Sequence, residues 1–409
     1  MKAIIIGGGI GGVTAALCLL DAGIEVELHE RSPALTETGA GIQLSPNGMK
    51  VLMRLGLHPE IDHVAFRPEA LEMRMGKTGA RIFSIPIREL ALTGYGAPYY
   101  HVHRADLMSV LSRALQKRAP SCLYLNREFV SYEQDSTRVV ARFSDGSEVS
   151  GDILIGADGI HSAVRAVRQG RTPARFTGNV AWRLVVPATD RLHSLVPPNA
   201  TIWVGPGRHA VTYYLRRGEL INFVGVVERD DWQKESWTEE GDVAQLRADY
   251  AGWATPVAEV VAQATSCFRW ALFDRNPLDH WCDGRVALLG DACHPMLPFL
   301  AQGAVMAIED SWVLSRTLRS AQEDLAADLA AYEALRKPRT SRVQLGARRQ
   351  MGLYHQRTTF NQVATYGPMW LAANLMPGFV NSRQDWLYAF DVTSDQSPTS
   401  VSGSEASEE

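Results

Sequence analysis

The 409-residue chain is poor in the features that define several protein classes. Its five cysteines (Cys18, Cys122, Cys267, Cys282, Cys293) are scattered and odd in number, with no CxxC pair. That argues against a disulfide framework and a Cys-rich zinc site, and a reduced, cytoplasmic setting is the expectation. There is no basic excess: 41 Lys and Arg against 45 Asp and Glu leave a net charge of −4, so nucleic acid, whose phosphates call for a basic surface, is not an expected partner. No run of about 18 apolar residues is present to cross a membrane. Residues 1–23 begin basic and turn apolar as an export leader does, but GGGIGG puts five glycines into six positions and breaks the helix a leader needs. The last segment, TSDQSPTSVSGSEASEE from Thr393, has no apolar anchors, which predicts disorder over 393–409. No internal repeat precedes it.

What remains is an ordinary globular composition, 46% hydrophobic with 34 Gly and 20 Pro, long enough for two or three domains. Residues 2–30 read strand, glycine turn, helix, strand: KAIII is a β-branched run, VTAALCLLDAG is helical and ends on Gly23, and IEVELHE alternates with period two. Helical patterns recur at 46–56 and 104–117, and short strands follow near 122–144. Between residues 178 and 228, VAWRLVVPA, ATIWV, HAVTYYL and LINFVGVVE predict an antiparallel sheet. RVALLG (285–290) is a buried strand again, and two helical stretches follow at about 304–318 and 323–349.

The first chemical signal is IIIGGGIGGV. Gly7, Gly9 and Gly12 stand in GxGxxG spacing, directly after a strand and at the opening of a helix. The first glycine makes the turn, the second admits a pyrophosphate to the backbone, and the third permits close helix–strand packing. Glu30 lies at the end of the next strand, where a carboxylate accepts from a ribose diol. FAD and NAD both carry such a ribose, so this unit alone leaves the choice between them open.

Two further segments share the same design. DILIGADGIHSAVR is a strand followed by Asp158, Gly159, Ser162 and Arg165, and GRVALLGDACHP is a strand followed by Gly290 and Asp291. With the N-terminal loop, and with Arg104 in HVHRADL, these motifs resemble the fingerprints of single-component FAD-dependent aromatic hydroxylases. The salicylate, 3-hydroxybenzoate and 6-hydroxynicotinate hydroxylases are the group most alike. The resemblance runs from about residue 2 to 345. It implies an α/β fold: a Rossmann-type FAD-binding domain (residues 1–70, 100–175 and 276–320) with an interleaved antiparallel-sheet substrate domain (71–99 and 176–275). A helical C-terminal region (321–392) completes it. It also implies FAD contacts from Gly7, Gly9, Gly12, Glu30, Arg31, Gln43, Arg104, Asp291, Gly303 and Ala304. Asp158 and Arg165 are implied to serve the nicotinamide cofactor as well as FAD, although a simple pairing of this strand-end acid with the helix arginine is the competing reading. No second strand–GxGxxG–helix unit follows, so NADH or NADPH is expected as a passing co-substrate without a domain of its own.

The segment LLGDACHPMLPFLAQGA packs Asp291, Cys293 and His294 into four positions. No second ligand cluster is visible in the sequence, and adjacent Cys and His side chains are expected to diverge, so no metal and no thiol nucleophile is expected there. The stretch is read as a cofactor cradle.

On the substrate side, GRHAVTYYL places His209, Val211 and Tyr213 on one face of a strand, with His209 and Tyr213 roughly 13 Å apart. That spacing is too long for a mutual bond but suits flanking a flat ring. The resemblance gives such a His-x-x-x-Tyr the task of binding and deprotonating a phenol, which raises electron density ortho and para for an electrophilic flavin C4a-hydroperoxide. A histidine poised near neutral pH suits the task. Gln302 is expected beside the flavin ring, to orient substrate or to bond the nearby helix start. Where 6-hydroxynicotinate hydroxylases carry two further histidines, this chain has Phe299 and Gln43, which favours a benzenoid substrate. Trp182, Trp203 and Met73 are candidates to wall the ring, with ordinary core as the competing reading.

These signals predict an aromatic monooxygenase that uses FAD, NAD(P)H and O₂ on a small phenolic or heteroaromatic acid, most nearly salicylate-type, as a monomer or homodimer. A non-oxygenating flavoprotein of the same fold and a flavin-binding regulator are the competing readings.

Overall fold

The apolar runs assemble edge to edge in a computed structural model of the chain, which describes residues 1–35, 40–170, 173–229, 239–319 and 324–394. Lys2–Ile6 pairs in parallel with Glu25–His29 on one side and Ile153–Gly156 on the other, and Val286–Leu288 pairs in parallel beyond that. Leu123–Tyr124 and the antiparallel Cys282–Asp283 complete a six-stranded sheet. A parallel sheet covered on both faces needs continuous apolar strands; KAIII, ILIG and VAL supply them, with Ile4, Leu154 and Ala287 fully buried. Parallel strands end on one edge, so the loops after Ile6, Gly156 and Leu288 emerge side by side. The register aligns Ile6 with Gly156 and Gly156 with Leu288.

A second sheet has seven strands in the order Phe268–Asp274, Arg175–Pro187, Leu220–Glu228, Arg208–Leu215, Ala200–Gly205, Leu71–Met75 and Arg81–Ile85. One pairing departs from the antiparallel expectation: Ala200–Gly205 runs parallel to Leu71–Met75, a strand delivered from far upstream. Period two decides which side chains face where. Trp182, Trp203, Ala210 and Tyr214 bury together in one core, while His209, Val211 and Tyr213 face a cavity on the other side of the sheet.

The helices expected at 304–318 and 323–349 appear as Gly303–Arg319 and Leu325–Tyr354, followed by Thr359–Leu375, Pro377–Ser382 and Asp385–Tyr388. No helix among the described residues is long and apolar enough to cross a membrane. The tail was expected to loosen at Thr393, yet that residue is buried and both its N–H and hydroxyl donate to Asp391. Residues 395–409 lie outside the described residues.

A buried charge network fastens the long C-terminal helix to the rest. Arg336, 1% exposed, contacts Glu309 at 2.7 Å and donates to Asp310 at 2.7 Å. Arg339 donates to Glu309, which also accepts from Asn47. His294 donates to the other Asp310 oxygen at 2.5 Å. Burial pushes both carboxylates up, but the guanidinium groups and His294 outweigh it, and both sit below their ordinary 4.5 and 3.8.

Breaking such a set from one side leaves uncompensated charge in the interior. Arg336→Met is expected to cost about 3–5 kcal/mol, read as a fall in the urea midpoint. Because the folded-state values are depressed, the network contributes fully above about pH 4.5 and loses its contribution as acid protonates the carboxylates. That acid-side loss of stability should be smaller in the variant.

Candidate active site

The glycine loop is shaped by contacts that no side chain would allow. Gly7 takes φ +106°, and a Cβ on Gly12 would stand 1.9 Å from the Gly7 carbonyl. The helix Ile10–Asp21 opens at Gly9 with no side chain capping it, so its first amides face outward as an anion site needs. Glu30 is held at the strand end by two backbone donors, Gly8 at 2.6 Å and Ser32 at 2.9 Å. Its neighbour Arg31 is exposed. A bare turn, an open helix end and a fixed carboxylate are the donor and acceptor set that a dinucleotide's pyrophosphate and ribose require, so these residues fit FAD.

Between the seven-stranded sheet, the segment 291–304 and the C-terminal helices lies a cavity of about 740 Å³. Eight of the residues expected to bind cofactor or act on substrate line it: Gln43, Arg104, His209, Tyr213, Asp291, Gln302, Gly303 and Ala304. They come from four distant segments. Gly303 begins the helix Gly303–Arg319, so that helix N-terminus opens on the cavity beside Asp291. Gln43 accepts from the Tyr99 hydroxyl at 2.7 Å. Gln302 proves to be tied to a helix start: its amide donates to Ser45 at 3.0 Å and accepts from Asn47 at 3.2 Å, at the opening of Pro46–Arg54.

His209 is 1% exposed. Phe299 meets it edge-on with ring centres 5.2 Å apart, and Tyr354 lies 5.0 Å away. Its Nδ1 lies 2.7 Å from His355 Nε2. The sequence reading set this histidine near neutral pH; instead, burial and then the neighbouring His355 hold it well below 6.5. Its ring is therefore neutral at pH 7. Tyr213 packs on Gly41, where a Cβ would come within 2.4 Å of the phenol ring, and against His101 at 4.6 Å. Burial pushes its phenol up, against the pull of Arg104 and Arg183, so Tyr213 stays protonated and can donate.

Other expectations need correction. Asp158 and Arg165 are not partners in a hydrogen-bonded pair. Asp158 accepts from the Ala163 and Val164 amides and so caps the following helix, while Arg165 donates to the Ala292 and Ile160 carbonyls, tying the second motif loop to the third. Neither lines the cavity; Ile160 between them does. Cys293 and His294 do not diverge either. The tight turn Gly290–Ala292 folds the chain so that both converge with Asp310, all ligand atoms lying within 4.8 Å of one another. Asp310 is engaged there by His294 and Arg336. Asp291 faces away from them, into the cavity.

Several cavity residues escaped the sequence reading. Arg183, 4% exposed, lines the wall and stacks over Trp270 at 5.2 Å. A charged residue inside the otherwise apolar VAWRLVVPA was the available signal. Of the three candidate walls, Met73 lines the cavity, whereas Trp182 and Trp203 are core.

Comparison with known proteins bears directly on this geometry. Residues 1–346 match the family described as FAD binding domain. The chain is 39% identical over 352 residues to a 3-amino-4-hydroxybenzoate 2-monooxygenase of Streptomyces platensis, covering 86% of this chain and 88% of that one. It is 35% identical over 391 residues to a 6-hydroxynicotinate 3-monooxygenase of Bordetella bronchiseptica, covering 95% and 94%. Among solved structures, Klebsiella pneumoniae HpxO complexed with FAD and uric acid superposes with a TM-score of 0.81 at 31% identity, over 93% of this chain and 96% of that one. The chain thus belongs to the FAD-binding-domain family and is an FAD-dependent aromatic-ring monooxygenase that draws on NAD(P)H and O₂.

Proposed function

We propose that this enzyme hydroxylates a benzenoid phenolic acid of the salicylate type, in a cytoplasmic setting. The observation that carries the reading is the strand Arg208–Leu215, which presents His209 and Tyr213 along one face of the cavity with Val211 between them. A flat ring laid along that face meets a neutral imidazole at one end and a protonated phenol at the other.

Bound FAD, once reduced by NAD(P)H, supplies the activated oxygen derived from O₂. The protein supplies the rest. His209 takes the phenolic proton, which makes the ring electron-rich enough to accept an electrophilic oxygen. Tyr213 donates a hydrogen bond that fixes the ring's orientation. Arg183 is the buried guanidinium suited to a substrate carboxylate. Phe299 and Gln43 leave an apolar edge and a tyrosine-engaged amide where a pyridine reader would need imidazoles, which supports benzenoid over heteroaromatic acids.

The direct test is a panel of phenolic and pyridine acids, with NAD(P)H oxidation and O₂ uptake followed and products identified. A hydroxylated product from a benzenoid phenolic acid is expected; consumption without product throughout that class would refute the reading. His209→Ala should retain FAD and lower kcat by about 10²–10⁴-fold, the usual worth of a positioned base. Arg183→Gln should raise KM for carboxylated substrates by tenfold or more while affecting carboxyl-free phenols little, in line with about 1.5–3 kcal/mol for a charge-assisted bond.

A further inference from the structure

His209 is not an isolated base. Its Nδ1 faces His355 Nε2 at 2.7 Å, and His355 Nδ1 in turn lies 3.0 Å from Glu228 Oε1. Glu228 also accepts from Arg357, whose side chain is 75% exposed. The row runs from a fully buried ring on the cavity wall, through His355 at the end of the long helix Leu325–Tyr354, to a carboxylate 26% exposed. Glu228 ends the strand next to that of His209, so the sheet and the C-terminal helix each deliver part of the row.

The carboxylate fixes the direction of every bond. An ionised Glu228 only accepts, so His355 carries its proton on Nδ1. Its Nε2 is then the acceptor, so His209 must donate from Nδ1. That leaves His209 Nε2 as an unprotonated lone pair for a molecule in the cavity. One carboxylate at the rim therefore sets the tautomer of a ring two residues inward.

We propose that Glu228 and His355 form a proton relay that poises His209 as the base and carries the substrate's phenolic proton toward solvent. The inference rests on the reading of His209 given above. In the step, the substrate O–H bond breaks and a proton joins His209 Nε2, while the His209 Nδ1–H proton passes to His355 Nε2. The products are a substrate phenolate and a His355 imidazolium paired with the Glu228 carboxylate. No electrons change hands. After oxygen transfer and rearomatisation, the same path returns a proton to the product oxygen and restores the resting tautomers.

Burial explains why a relay is needed. A proton parked on His209 would leave a charge in the dry sheet face, between Phe299, Tyr354 and the strand core. On His355 the Glu228 carboxylate supports it, against the burial and the Arg357 and Arg208 guanidinium groups that hold this ring below its ordinary 6.5. The charged and titratable groups around the pair are Glu228 and Arg208 from the sheet, Arg357 beyond the helix end, and Tyr354 on the helix itself. Tyr250 reaches only the His209 carbonyl.

The test uses the FAD-loaded full-length enzyme and 3-hydroxy-4-nitrobenzoate, a phenol coloured in its ionised form. Difference spectra report the bound ionisation state across pH. In the wild type the probe should bind as phenolate at neutral pH. Glu228→Gln and His355→Gln should each shift its bound ionisation upward by about one pH unit or more and lower kcat by about tenfold or more, with FAD binding intact. Glu228→Asp should recover part of the loss. Unchanged ionisation in Glu228→Gln, which keeps the size of the side chain, would overturn the relay even if His355→Gln failed to fold. A wild type that hydroxylates no phenolic acid would instead refute the substrate reading itself.

Discussion

Pairing Lys2–Ile6, Ile153–Gly156 and Val286–Leu288 in parallel forces their C-terminal loops onto one sheet edge, and the rest of the site is built outward from that constraint. Segments some 150 and 280 residues into the chain then supply neighbouring loops to one long cofactor. Antiparallel pairing would have sent alternate loops to opposite ends. The cost is that parallel strands need long crossovers, and this chain uses the one between Ile153–Gly156 and Val286–Leu288 to deliver five strands of the seven-stranded sheet, the other two, Leu71–Met75 and Arg81–Ile85, coming from an earlier connection. The cavity therefore lies between the seven-stranded sheet and the segment 291–304 that follows the last parallel strand.

What keeps that cavity in shape is polar. Asn47 donates to Glu309 and also to Gln302 on the cavity wall, while Gln302 holds Ser45 at the same helix start. The Arg336 network thus reaches the wall through a single amide. Buried ions are weak contributors to net stability when compared with a well-packed apolar core, but they tolerate few alternative arrangements. In this chain they fix the helix Gly303–Arg319, whose first residues open on the cavity, against the helix that ends at His355.

Much of this was legible locally. Three glycine-bearing or aspartate-bearing turns after apolar strands named the cofactor class, and period two alone put His209, Val211 and Tyr213 on one face. What the sequence could not reveal are the contacts closed across long distances. His355 lies 146 residues from His209, and Glu228 lies 127 from His355. Neither stands in a motif, and each reads as a surface polar residue beside a helix or strand end. Asp310 was hidden similarly: it is one polar position on a helix until the turn Gly290–Ala292 folds Cys293 and His294 against it. Arg183 did leave a trace, a lone cation inside an apolar strand, but its stacking on Trp270 depends on a pairing between strands that begin 93 residues apart in the chain, Arg175 and Phe268.

The electrostatics of the substrate wall follow from the same burial that makes it apolar. A dry sheet face suits an aromatic ring and excludes water that would quench an electrophilic oxygen. It also disfavours charge, which is why His209 is held well below its ordinary range and Tyr213 stays protonated. An enzyme that must make a phenolate in such a place faces a contradiction: the environment that protects the chemistry opposes the ionisation the chemistry requires. Basic strength in His209 alone would not resolve it, because a stronger base there would already hold a proton at neutral pH. Separating the roles does. In the proposed relay the imidazole at the ring stays uncharged, and the charge moves to a ring with a carboxylate partner, Glu228, that His209 lacks.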